Sequence, residues 1–142
     1  MLRKEFIALI KIRDHAQKAC QYCREIDSPD LFEQDEMTAE AATFNIMQIG
    51  EISHDMLTEI TKSQLADIPW TAVYGLRNRI VHGYSDVDSS ILFTTIKKDL
   101  PLLIREIDRL IGPAGETDLA QPEASNAEGP DSEEIRRMLS YD

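Results

Sequence analysis

The sequence has only two cysteines and no long hydrophobic run. These two features argue against a secreted disulfide-rich protein and a membrane-spanning one. No apolar run approaches the roughly 18 residues that a membrane-spanning helix needs, and the N-terminus lacks the basic segment and apolar core of a signal peptide. The two cysteines, Cys20 and Cys23, have no second pair with which to form a disulfide scaffold. We therefore expect a cytoplasmic protein with no membrane partner.

Positive charge is also scarce. The 142 residues contain 15 Lys and Arg against 26 Asp and Glu, a net charge of −11. A field of this sign repels phosphates, which excludes a nonspecific nucleic-acid coat and a binder of anionic membranes but leaves room for a local basic site. Residues 113–142 hold 8 acidic and 2 basic side chains and little that is apolar. We predict a folded domain over residues 1–112 and a largely disordered acidic tail over 113–142, with a possible short helix at 132–140.

The apolar residues of the first 112 positions recur at helical spacing, and no stretch shows the alternation of a strand. The pattern predicts an all-α fold, an antiparallel bundle of four to five helices. The first helix is expected to end near Ile26, the third to run from Pro69-Trp70 to about Val81, and the fourth from Asp88 to Ile111. The second carries a seam of apolar and small residues at Ala42, Ile46, Ile49, Ser53, Met56 and Ile60. Pro101 should kink the last helix or divide it after Asp99.

The segment from Gly75 to Tyr84 combines two arginines, an amide, an imidazole and a phenol, a set that packing alone does not require. In a straight helix Arg77 and His82 are about 140° apart. They can converge only if the helix ends near His82 or if two chains build the site together. Metal-free RNA cleavage needs a base, an acid and positive charge near the phosphate. A two-fold dimer would supply two His82 imidazoles and two Arg77 guanidinium groups.

The pattern Arg77-Asn78-x-x-x-His82-x-Tyr84 resembles the Arg-x4-His-x-Tyr motif of the HEPN superfamily, specifically of the HepT-like toxins. Three flanking features are similar as well: Asn45-Ile46-x-x-Ile49-Gly50-Glu51, Ile68-Pro69-Trp70 and Asp99-Leu100-Pro101. The resemblance implies a homodimeric HEPN helical bundle and a metal-independent endoribonuclease that needs no cofactor. Arg77 and His82 would be the catalytic pair in an RNA-binding cleft at the dimer interface, and Asn78 would orient the motif.

The resemblance also implies a partner. In the HepT-like toxins, members of type VII-like toxin–antitoxin modules, a cognate MntA-like minimal nucleotidyltransferase silences the toxin by transferring AMP from ATP to the motif tyrosine, here Tyr84. An AMP group two residues from His82 would add bulk and negative charge where the RNA phosphate must bind.

Each of these residues has a second interpretation. His82 could instead be a cation that stabilises the C-terminus of the motif helix. Tyr84 could simply pack at the edge of the bundle. Arg79 either contacts RNA phosphate beside Arg77 or pairs with surface acids. Glu51 or Asn45 could hold Arg77 or Asn78 in place, and Glu51 is preferred. The whole chain could instead be a non-catalytic HEPN subunit that docks a nucleotidyltransferase and is modified by it.

The spacing of Cys20 and Cys23 resembles half of a zinc site, but only His15 lies nearby in the sequence. Reactive Cys-x-x-Cys thiols usually lie at a helix N-terminus, whereas these fall near the end of a helix. We expect two inert thiols and no metal, with His15 and His54 on helix surfaces or at an interface.

Overall fold

The computed structural model describes residues 1–113, and within that range the chain is helical and contains no strand, which confirms the all-α prediction. In chain order the elements are α1 (Arg3–Tyr22), α2 (Pro29–Gln34), α3 (Glu36–Met56), α4 (Glu59–Gln64), α5 (Trp70–Gly83), a 3₁₀ turn (Tyr84–Asp86), α6 (Ser89–Thr94), a π-helical turn (Thr95–Asp99) and α7 (Leu100–Ile111). Over these residues no helix is both long and apolar enough to cross a membrane. The predicted acidic tail, except for its first residue at position 113, lies outside the described residues, and so does the predicted short helix at 132–140.

The long helices pack antiparallel, as side-chain contacts between them show. Glu5 near the start of α1 bonds Thr58 just after α3, and His15 further along α1 bonds Asn45 earlier on α3. On the other face of α1, Arg13 donates from Nη1 to Asp108 of α7 at 2.9 Å. Apolar side chains between these helices form one core, in which Leu9, Ile12, Ile49, Leu65 and Ile107 are among the most deeply buried. The antiparallel bundle expected from the sequence is present.

The second helix is shorter than its apolar pattern predicted, and the extension to Ile60 is wrong. Helix α3 ends at Met56, and Ile60 lies on the separate helix α4 with 73% of its surface exposed. Thr58 is extended, and its hydroxyl accepts the N–H of Thr61 as the N-cap of α4. The break is stabilised by a residue far away in sequence, because the Glu5 carboxylate accepts both the N–H and the hydroxyl of Thr58.

The other helix boundaries follow the sequence more closely. Helix α1 ends at Tyr22, a turn before the expected Ile26, while α5 spans Trp70–Gly83 as predicted within two residues. The predicted irregularity before Pro101 is confirmed as a π-helical turn that ends at Asp99, while the backbone stays helical from that turn into α7. Proline has no N–H to donate, so the hydrogen-bond register changes just before it.

The buried carboxylate of Glu5 leads to a prediction about acid stability. The N–H of Thr58 above all, with the hydroxyls of Thr61 and Thr58, lowers the pKa of Glu5 from its ordinary value of 4.5 to about 2. Because the folded-state pKa is the lower one, Glu5 stabilises the fold fully above about pH 4.5, and this contribution disappears as the pH falls towards 2. We expect Glu5→Gln to lower the urea midpoint at pH 7 and to differ less from the unsubstituted protein at pH 3. A gap of equal size at both pH values would contradict this assignment.

Candidate functional site

Helix α5 carries the predicted catalytic residues as one continuous helix. Pro69 precedes its first turn, where a missing N–H is no loss, and regular helix continues past His82 to Gly83. Arg77 and His82 are therefore separated by about 140° around the axis and about 7.5 Å along it. His82 is exposed and has no hydrogen bond within residues 1–113. A single chain does not bring the two side chains onto one face.

Two neighbouring side chains hold the guanidinium of Arg77. The Glu51 carboxylate of α3 accepts from Nε at 2.6 Å and lies 2.5 Å from Nη2, while Nη1 donates to the Asn78 side-chain oxygen at 2.8 Å. Both Glu51 and Asn78 were predicted as supports of the motif, and both contact Arg77. Asn45 does not: its amide contacts His15 of α1 at 2.8 Å and donates to the carbonyl of Ala41.

The contacts of Arg77 leave part of its hydrogen-bonding capacity available. A guanidinium has five N–H donors, of which Glu51 and Asn78 take three. The remaining two have no partner in the described part of the chain, and about a fifth of the Arg77 side chain is exposed (21%). Arg77 is thus held in place and keeps two N–H groups with which it can bind an anion.

Gly50 allows α3 and α5 to approach closely enough for this contact. A Cβ at position 50 would lie 2.5 Å from the Cβ of Arg77 and 3.0 Å from its Cγ. These atoms are next to the helix backbone and have little freedom to move. Gly50 is part of the motif on the second predicted helix, but the sequence assigned it no role. Its role depends on Arg77, which lies 27 positions later in the chain.

Two aromatic residues that the sequence analysis did not assign to the site lie beside Arg77. The Tyr74 and His54 rings stack with their centroids 3.8 Å apart and their planes 11° from parallel. The guanidinium carbon of Arg77 lies 5.7 Å from the Tyr74 ring centroid, a cation–π contact. Tyr74 precedes Arg77 by three residues and therefore shares its side of the helix, which is the only sign the sequence offers.

Arg79 points away from this cluster. It lies about 160° from Arg77 around α5 and lines a groove of about 480 Å³ between α5, α3 and the α6–α7 segment. Hydrogen bonds from the Ser90 side chain and backbone lower the pKa of Asp88, and the charge of Arg79 adds to that effect. The charge of Arg79 thus acts on this acid, but the two side chains form no salt bridge within residues 1–113.

Tyr84 lies in the 3₁₀ turn directly after α5, with 38% of its surface exposed. It borders a cleft of about 320 Å³ in which its neighbours include three acids of α2 and α3, namely Glu33, Glu36 and Glu40. The three acids are exposed, whereas the buried residues of the cleft, among them Phe32 and Leu92, are apolar.

The two cysteines lie at the C-terminal end of α1, as the sequence predicted. Cys20 and Cys23 are free, and burial raises the pKa of both thiols above the ordinary value. Thiols with raised pKa values carry little thiolate at neutral pH. Among residues 1–113 no group of three or more His, Cys, Asp or Glu side chains could hold a metal ion.

Comparison with known proteins yields one family. A family model described as ribonuclease HepT-like matches residues 12–110. The chain is similar to a Methanocaldococcus jannaschii protein named as an RNase, with 26% identity over 100 residues that cover 70% of this chain and 90% of the relative. It is also similar to a Thermococcus cleftensis protein named as a ribonuclease HepT, with 30% identity over 90 residues that cover 63% of this chain and 80% of the relative. No solved structure matches the chain.

Proposed function

The chain belongs to the HepT-like ribonuclease family, and from this premise we propose that it is the metal-independent endoribonuclease toxin of a two-component toxin–antitoxin module. The observation that carries the proposal is the Arg77 guanidinium, which Glu51 and Asn78 hold in place with two N–H donors left for a phosphate. An exposed imidazole, His82, follows on the same helix.

The proposed reaction uses the RNA's own 2′-hydroxyl as nucleophile. One imidazole removes the 2′-hydroxyl proton, the 2′-oxygen forms a bond to phosphorus, and the bond from phosphorus to the 5′-oxygen breaks. A second imidazole, in its protonated form, gives its proton to the leaving 5′-oxygen. Arg77 stabilises the charge that develops on the phosphoryl oxygens. The products are a 2′,3′-cyclic phosphate and a free 5′-hydroxyl.

The two imidazoles in this proposal are the His82 side chains of two chains, because each chain has one His82. A second chain can also bring its His82 to an Arg77 that lies on a different side of α5 from its own His82. The surface beside Arg77 has apolar side chains that a second copy would cover. Phe44, two turns before Glu51 on the same side of α3, is 53% exposed, and Val81, one turn after Arg77, is 46% exposed. We place the two-fold axis of a homodimer at this surface. Arg79 lies about 160° from Arg77 but only about 60° from His82 around α5, so it would contact the RNA on the His82 side.

Incubation of the purified protein with total RNA in EDTA tests the proposed activity. We expect discrete fragments that end in 2′,3′-cyclic phosphate, read on a gel and by end-group chemistry. A His82→Ala protein purified in parallel controls for contaminating nucleases. Cleavage that appears only after addition of a divalent cation, or no cleavage at all, would reject the proposal.

The support of Arg77 by Glu51 gives a graded prediction. In Glu51→Gln the carboxylate charge is gone and one acceptor oxygen remains, so Arg77 keeps its position for part of the time. A charge-assisted hydrogen bond contributes about 1.5–3 kcal/mol, and partial loss should slow RNA cleavage roughly tenfold with the fold intact. Asp67→Asn removes an exposed acid from the turn before α5 and serves as the control. Equal rates for the two variants would remove Glu51 from the site.

For regulation we propose transfer of AMP from ATP to Tyr84 by a cognate MntA-like nucleotidyltransferase. The Tyr84 oxygen attacks the α-phosphorus, the bond between the α- and β-phosphates breaks, pyrophosphate leaves, and the phenol proton passes to a base of the partner enzyme. Exposure of Tyr84 directly after the motif helix supports this assignment. The acids of the cleft repel the adduct's phosphate, so the AMP group is directed outward.

Mass spectrometry after incubation with the partner enzyme and ATP tests the modification. We expect one AMP adduct on Tyr84, none on the similarly exposed Tyr22, and none in Tyr84→Phe. An unmodified Tyr84 would remove the regulatory part of the proposal and leave the ribonuclease part standing.

Two observations favour the alternative function of a non-catalytic HEPN subunit that docks the nucleotidyltransferase. The ion pair with Glu51 neutralises the charge of Arg77, and the chain as a whole carries −11. Growth arrest upon expression of the chain without its partner separates the two functions, because only an active toxin should cause it.

A further inference from the structure

The stacked rings of His54 and Tyr74 lie at the surface next to the proposed phosphate-binding group. His54 is in the last turn of α3 and exposed, while Tyr74 is half-buried on α5. One face of the Tyr74 ring carries the His54 ring at 3.8 Å, and the Arg77 guanidinium carbon lies 5.7 Å from its centroid. We propose that His54 and Tyr74 form a binding subsite for one unpaired nucleobase of the RNA, stacked on the outer face of His54.

The stacking of His54 on Tyr74 is not needed if His54 serves only as a cation at the C-terminus of α3. A histidine that only stabilises the C-terminus of α3 needs its charge near the last carbonyl groups and no aromatic partner. Here the imidazole ring is nearly parallel to a phenol ring, with an angle of 11° between the planes. Tyr74 covers one face of the imidazole, while His54 as a whole stays exposed.

The chemistry of the neighbours identifies the ligand. Arg77 has two N–H donors available for a phosphate. Its guanidinium contacts the Tyr74 ring, on which the His54 ring is stacked. A phosphate-binding cation beside an aromatic platform is the combination that binds single-stranded nucleic acid, because each base is joined to its phosphate through one sugar. In a duplex the base faces are already stacked. The subsite should therefore favour cleavage next to an unpaired nucleotide, an inference that rests on the proposed ribonuclease function.

The test measures RNA binding in the full chain carrying His82→Ala, so that cleavage does not interfere. A fluorescein-labelled single-stranded oligoadenylate is titrated at low salt into this protein and into the same protein with His54→Ala or His54→Phe. Stacking of a base on an aromatic side chain corresponds to a roughly 5- to 150-fold change in Kd. We expect His54→Ala to weaken binding within that range and His54→Phe, which keeps a ring, to stay within about twofold.

Loss of the base provides a second readout that a structural role of His54 would not change. An oligonucleotide with an abasic position at the subsite should bind the His54-containing protein as weakly as the intact oligonucleotide binds His54→Ala. The two changes together should add nothing further. Scanning the abasic position along the oligonucleotide identifies the nucleotide concerned.

The outcomes separate this inference from the proposed function. If the unsubstituted protein cleaves RNA and His54→Ala binds oligoadenylate as tightly as its parent, the subsite is rejected and the ribonuclease remains. Equal losses in His54→Phe and His54→Ala also reject stacking, since charge or hydrogen bonding would then explain the effect. If the protein neither cleaves RNA nor binds the oligonucleotide, both proposals fail.

Discussion

Replacement of His82 by alanine is expected to slow RNA cleavage by about 10²- to 10⁴-fold, the usual effect of losing a general acid or base. The side chain is exposed and has no hydrogen bond within residues 1–113, so its removal should leave the fold intact. Exposed substitutions of this kind typically change the free energy of unfolding by no more than about 0.5 kcal/mol. Cleavage rates and urea unfolding curves, measured on the same preparation, separate lost chemistry from lost structure.

Mixing this variant with the unsubstituted chain tests whether two imidazoles serve one phosphate. If each active dimer needs both copies of His82, an equimolar mixture refolded together should retain about one quarter of the activity. Two independent sites would retain about one half, because half of all chains remain intact. A linear dependence of rate on the fraction of intact chains would therefore show that His82 acts within its own chain or alone.

Alanine at position 50 should destabilise the protein and displace Arg77. The new Cβ would meet the Arg77 Cβ at 2.5 Å, so α3 and α5 must move apart. Insertion of a methyl group into tight packing costs about 1–3 kcal/mol, and a displacement of Arg77 should also slow RNA cleavage. The urea midpoint and the cleavage rate of Gly50→Ala are expected to fall together.

Gly75 offers a matched control, because it is a helical glycine of α5 whose added Cβ meets nothing within 4 Å. Alanine within a helix is favoured over glycine by roughly 0.5–1 kcal/mol, so Gly75→Ala should raise the urea midpoint. The same helix preference acts at position 50, where the steric overlap reverses its sign. Stabilisation by both substitutions would mean that α3 and α5 are not in the close contact described here.

The helical fold could be predicted from the sequence because helix signals depend on residues that are close together in the chain. Apolar spacing identifies an amphipathic helix without knowledge of the helix it packs against. Prolines mark helix boundaries because they have no backbone N–H to donate. Pro69 precedes α5 and Pro101 follows the π-helical turn in agreement with expectation. The prediction for Ile60 was wrong because its spacing continues the α3 seam, whereas the break after Met56 is stabilised by the carboxylate of Glu5, more than 50 residues earlier.

For the candidate site, the sequence determined which residue types were available and which of them share helix α5, since motif and periodicity are properties of neighbouring positions. Which side chains meet was decided only by the tertiary structure. Glu51 rather than Asn45 contacts Arg77, Gly50 permits that contact, and His54 stacks on Tyr74. These contacts depend on the register and distance between α3 and α5. The whole core sets that register and distance, and the spacing of residues along one helix does not contain them.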